Sequence, residues 1–190
     1  MGMGLLVIFI ILLCIATSFF SVGAVTGVKL GSNYTSAVSL KTAIVFTVIA
    51  LLAMAVSFIL GRMLYSVLID VYDWVGFALL LLIAIHFLLE SMEKTPSLNY
   101  TDVENNNYMI KVAVQVSLDL FLLAFVVALT NHKAFLFTLL FGGLFAFCSV
   151  LFGLSHGYHT KGSVIANRLE LVAGIVMTFI AIRFLLVALG

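Results

Sequence analysis

Asp119 lies near the middle of Val112–Leu129 (VAVQVSLDLFLLAFVVAL), a stretch otherwise apolar and long enough to be a membrane helix. A carboxylate at that depth costs at least ~2.5–3.5 kcal/mol on insertion scales, so such acids usually face a bundle interior or a watery cavity. Helical spacing sets Gln115 one turn before Asp119 on the same face, with Lys111 a turn earlier near the membrane edge. Ser117 is two residues from Asp119 and projects to the other side. Mn²⁺ and Mg²⁺ prefer carboxylate, carbonyl and water oxygens, so Asp119, Gln115 and exposed backbone form a sensible partial shell for a cation. The structural alternative is an acid held neutral by desolvation, or paired with a base such as His86 or Arg183.

Other polar groups are weighed in the same way. His86 falls inside an apolar run and titrates near physiological pH, which suits a proton relay; the bland reading is a hydrogen-bonded packing residue. Glu170 and Asp73 stand at the start of two helices, where an acid also gains a few tenths of a kcal/mol from the macrodipole. Arg183 is close enough to the C-terminal end to snorkel. His156 and His159 are one turn apart but lack a nearby cysteine or acid, so they read as an interfacial polar edge rather than a metal site. Gly23-x-x-x-Gly27, with Gly31 a turn later, reads as a close helix-packing face.

The elements that must position these groups are membrane helices. The chain is 64% hydrophobic and 9% charged, which excludes an ordinary soluble domain. A formal net charge of +1 without a basic cluster gives no nucleic-acid partner. The first apolar run begins at Leu5 with no Lys or Arg before it and continues far past Cys14, as a permanent span does and a cleavable signal does not. Six helices are predicted, at about 5–28, 38–61, 68–92, 109–130, 134–156 and 164–189, giving an all-α polytopic membrane protein.

The only long hydrophilic segment holds the sole proline, Pro96, and divides the chain. Residues 1–92 form a first three-helix repeat, 93–108 a polar linker and 109–190 a second three-helix repeat. Ile83–Leu89 (IAIHFLL) is nearly repeated as Ile180–Leu186 (IAIRFLL), and at the same offset Asp73 matches Glu170. Ser18 falls opposite Ser117 at a slightly different offset. An odd number of spans per repeat inverts the second copy, a plan in which transporters hold substrate near the midplane. Lys29, Lys41, Lys94, Lys111, Lys161 and Arg168 share one side, against Arg62, Lys133 and Arg183, so both termini are expected outside. Tyr65, Tyr72, Trp74, Tyr108 and Tyr158 suit an interfacial belt in contact with the lipid bilayer.

With Val116-Ser117-Leu118-Asp119 in helix four and Arg168-Leu169-Glu170-Leu171-Val172-Ala173-Gly174 in helix six, the chain resembles the manganese efflux pump (MntP-type) family of the LysE-like exporter group. Helix three, from Trp74 through His86 to Glu90, follows the family pattern more loosely. The resemblance implies six spans, an inverted repeat, export of Mn²⁺ across a bacterial inner membrane, and no cofactor apart from the transported cation. It raises Asp119 and Glu170 as metal-binding residues, with Gln115, Ser117, Ser18 and His86 around the substrate. One departure stands out. The family places a Ser-x-Asp in helix one as well, whereas here the helix reads Ser18-Phe19-Phe20. Two carboxylates facing one site neutralise a divalent ion, and one does not.

Three classes of function follow. The first is a small exporter of a divalent cation, Mn²⁺ first, working by alternating access of two halves. The second is a structural or accessory subunit that keeps the exporter fold without its chemistry, a reading that Phe20 favours; a homo-oligomer or a membrane-complex partner belongs with it. The third, a disulfide-passing oxidoreductase, fits poorly because Cys14 is on helix one and Cys148 on helix five, not on equivalent helices. No nucleophile elbow or HExxH pattern points to an enzyme.

Overall fold

A computed structural model describes residues 4–30, 34–68, 71–92, 106–160 and 164–189. Among them the chain is all helix: α1 Leu5–Leu30, α2 Ser36–Leu68, α3 Tyr72–Met92, α4 Asn106–Thr130, α5 Phe135–Thr160 and α6 Val164–Leu189. All six carry a span long and apolar enough to cross a membrane. In hydrocarbon every backbone N–H and C=O must be satisfied internally, and helices of this composition do so. Threonines within the spans obey the same constraint. The hydroxyls of Thr26, Thr47, Thr138 and Thr178 donate to the carbonyls of Val22, Ala43, Ala134 and Gly174, one turn back. At the start of α2, the Thr35 hydroxyl accepts from the Val38 amide at 3.3 Å, a cap for an otherwise orphaned donor.

The bundle is built from three main pairings: α1 against α5, α2 against α4, and α3 against α6. Phe19, Phe46, Phe87, Met54 and Leu123 fill the interior, while Leu13, Leu52, Leu82, Phe152 and Phe179 point outward. Glycine sets the closest approach. A Cβ on Gly157 would collide with the Ala24 carbonyl, and one on Gly27 with the Leu154 carbonyl, so α1 and α5 touch backbone to backbone. Across α2 and α4, the Ser57 hydroxyl donates to the Phe121 carbonyl and Gly61 faces Phe125 and Ala128.

Several helices are longer than the sequence predicts. Helix two, expected to end at 61, continues through Arg62 to Leu68, so most of the connection expected there is helix. Gly61 is the packing surface for α4, and Met63-Leu64-Tyr65-Ser66-Val67-Leu68 contains no breaker. Helix five likewise runs through Gly157 to Thr160. Of the expected linker at 93–108, residues 93–105 lie outside the described residues, and 106–108 already belong to α4.

Candidate functional site

Four helices contribute to one cluster of ionisable groups. From α4, Asp119 is 3% exposed, with Oδ1 3.4 Å from Nδ1 of His86 on α3. That separation makes an ion pair when the imidazole is protonated, and is longer than a good hydrogen bond. From α6, Glu170 is 1% exposed and accepts a hydrogen bond from the Ser21 hydroxyl of α1. The charges of Asp119, Glu170 and His86 act on one another, and Glu90, one turn beyond His86 on α3, acts on both His86 and Glu170. His86 keeps 47% of its side chain exposed, so the cluster opens at the flank of the bundle.

The satisfied and unsatisfied atoms divide clearly. Asp119 Oδ2, Glu170 Oε1 and Ser18 Oγ are buried without a hydrogen-bond partner, on α4, α6 and α1 respectively. Each such group costs about 1–3 kcal/mol when buried unpaired, more if charged, so a proton, a water or an ion is needed to offset it. Ser39 Oγ and Asp73 Oδ1 share the condition near other helix starts. Among the described residues, no group of three His, Cys, Asp or Glu side chains is close enough to hold one metal ion directly. Mn²⁺-like cations suit a looser arrangement, because hard divalent ions can keep several waters and take only one or two carboxylates.

The remaining predicted residues scatter. Gln115 is exposed on α4. Ser117 is buried but donates to the Ala113 carbonyl of its own helix at 2.7 Å, and it borders a groove beside Val56 of α2. Glu170 is not in the first turn of α6, which begins at Val164, so the macrodipole does not account for it. Asp73 does open α3, at the end away from Glu90. Arg183 is exposed at the far end of α6. His156 rests against Phe20 with ring centroids 5.6 Å apart, and His159 lies beside Tyr158. Both cysteines are free thiols. Sequence reading missed Ser21 and underweighted Glu90. The signals were present: Ser21 is three residues after Ser18, and Glu90 four after His86, each on the same helical face.

Six apolar spans enclosing an ionisable centre define an integral membrane protein. The chain belongs to the family described as "Mntp: Putative manganese efflux pump", which matches residues 33–185. No curated protein and no solved structure matches the chain. The family match begins after α1. An efflux pump is a transporter, and the family sets the chain in that class.

Proposed function

We propose that the protein exports a divalent cation, Mn²⁺ first, and that Asp119 and Glu170 carry it through the bundle. The observation that carries this reading is the pair of buried carboxylates, each with one unpartnered oxygen, in a chain of the manganese efflux family. Glu170 supplies a second negative charge, which helix one does not. Ser21 orients Glu170, and His86 is the counter-charge that Asp119 exchanges for the cation.

An inverted repeat is supported by the packing. Exchanging each helix with the one three places along turns the α1–α5 pair into α4–α2 and returns α3–α6 to itself, and these are the three main contacts. The close approaches follow the same exchange. Gly153 meets the Phe20 carbonyl as Ser57 meets that of Phe121, and Gly157 meets Ala24 as Gly61 meets Phe125. In this register the α1 counterpart of Asp119 is Ser18, two residues before Phe20, rather than Phe20 itself. Ser18 is 2% exposed with an unpaired hydroxyl, so helix one contributes a neutral oxygen where helix four contributes a charged one. Alternating access of two such halves exposes the centre to each side in turn.

The inner side is the end of the bundle bearing Lys29, Lys41, Lys111 and Arg168, which puts both termini outside a bacterial inner membrane. The test is flux of radiolabelled Mn²⁺ in proteoliposomes. Wild-type protein gives export that Asp119→Ala abolishes; full flux from Asp119→Ala contradicts the role. The accessory-subunit reading, favoured by the family match starting after α1, requires no flux from wild type and a stable copurifying partner.

A further inference from the structure

We propose that transport moves the α3–α6 pair as one body against a frame of α1, α2, α4 and α5, with the ion held in the seam between them. The inference rests on the transport reading above and adds to it the part that moves. All three main pairings join one half of the chain to the other. Rocking the halves as blocks would therefore part every one of them, including α1 and α5, where a Cβ on Gly23 would stand 2.8 Å from the Val150 carbonyl oxygen. The close contacts instead run on from helix to helix. Helix α5 meets α2 where a Cβ on Gly142 would be 2.9 Å from the Met54 sulfur and one on Gly143 2.9 Å from Leu51 Cδ2, and the Phe58 and Phe135 rings stack at 3.9 Å. Helix α2 meets α4 through the Ser57 hydroxyl on the Phe121 carbonyl and through Gly61 against Ala128. These contacts tie α1, α5, α2 and α4 in series.

The second body is tied in the same way. A Cβ on Gly174 of α6 would be 3.0 Å from Leu88 Cγ and 3.2 Å from the Leu88 nitrogen, and one on Gly76 of α3 would be 3.2 Å from the Phe184 ring. Every described helical glycine has its nearest contact inside the frame or inside the pair, never across the seam. What crosses the seam is side-chain contact. Gly76 reaches Val126 of α4 only at a methyl, 3.6 Å away, Asp119 of α4 faces His86 of α3 at 3.4 Å, and Ser21 of α1 donates to Glu170 of α6. Side-chain partners exchange in a small shear, whereas backbones in contact part only by giving up their packing. Asp119 belongs to the frame and Glu170 to the pair, so an ion taken by both shifts the balance between two arrangements of the bodies. Gly76, Phe184 and Val126 meet near the Tyr72 end of α3, so exposing the centre on that side requires the pair to leave Val126. In the repeat proposed above, exchanging the halves returns the pair to itself and the frame to itself, so both bodies persist in the opposite-facing state.

The test is disulfide stapling of the purified full chain in a Cys14→Ala, Cys148→Ala background. It is read as Mn²⁺ flux in proteoliposomes and as loss of the free Mn²⁺ electron paramagnetic resonance signal on binding. Three cysteine pairs each join the two halves: Leu51→Cys with Gly143→Cys inside the frame, Leu88→Cys with Gly174→Cys inside the pair, and Gly76→Cys with Val126→Cys across the seam. Oxidation of the first two should leave flux within about twofold of the reduced protein. Oxidation of the third should cut flux at least about tenfold, reversibly on reduction, while Mn²⁺ affinity changes less than about threefold. Flux that survives the seam staple, or that either staple within a body stops, overturns the proposal; the transport reading then stands if the reduced proteins transport. Thiols that stay free on oxidation contradict the contact they were placed to test, and with it the body or seam it defines. If wild type neither binds nor transports, both readings fall. Hydrogen exchange of wild type asks the same question without substitution, should a variant fail to fold. Mn²⁺ should change protection in α3 and α6 more than in α2 and α5, and equal change in all four overturns the moving pair.

Discussion

At the scale of single residues, the centre is a balance between burial and compensation. Asp119 is tolerated in the membrane because His86 stands 3.4 Å away, and Glu170 because Ser21 donates to it. Asp119→Asn removes the charge and keeps the shape, so the protein should remain folded while Mn²⁺ flux falls at least about tenfold, equivalent to about 1.4 kcal/mol of lost stabilisation. Ser21→Ala deletes one donor to a carboxylate, a bond worth about 1.5–3 kcal/mol when charged, and should weaken Mn²⁺ binding by about tenfold or more in the resonance titration. Unchanged binding in Ser21→Ala would show that Glu170 needs no orientation. The acid at 119 was legible from sequence because its surroundings are apolar. Its partner was not singled out, since His86 and Arg183 were both open as bases and only helix packing decides which one meets it. Ser21 was passed over for a different reason: although it shares a face with Ser18, a serine in a span normally bonds back to its own helix, as Ser117 does.

At the scale of elements, the six spans could be read directly from their apolar runs, because a membrane leaves the backbone little choice. Their ends could not. Gly61 and Gly157 stand at the predicted ends of helices two and five, yet a Cβ on Gly157 would collide with the Ala24 backbone and one on Gly61 with the Ala128 side chain. The same glycine therefore ends a helix in one context and permits a crossing in another, and the deciding fact is tertiary. Gly157→Leu should force α1 and α5 apart at a cost of about 1–3 kcal/mol or more, as overpacking does. In detergent, its melting temperature should drop well below that of wild type. Gly4→Ala, with nothing within 4 Å of its Cβ, serves as the matched neutral change. A melting temperature for Gly157→Leu equal to that of Gly4→Ala would contradict the backbone contact.

At the scale of the whole molecule, an exporter must offer its centre to one side and then the other. The polar groups lie towards the end that carries Lys29, Lys41, Lys111 and Arg168, the end proposed above as the inner one, so on that reading this arrangement loads from the inside. A green fluorescent protein fused to the C-terminus should be dark in bacteria and an alkaline phosphatase fusion active; the reverse result would invert the membrane orientation. Asp73 and Arg183, near the opposite end, are where sequence repetition places counterparts of Glu170 and His86. The central claim is that Asp119 and Glu170 bind the transported ion. Its most direct test is anomalous scattering from crystals of the protein soaked in Mn²⁺. A peak within coordination reach of Asp119 or Glu170, directly or through one water, and absent from the Asp119→Asn, Glu170→Gln double variant, is the predicted result. Flux-competent protein whose only manganese peaks lie away from both carboxylates would contradict it.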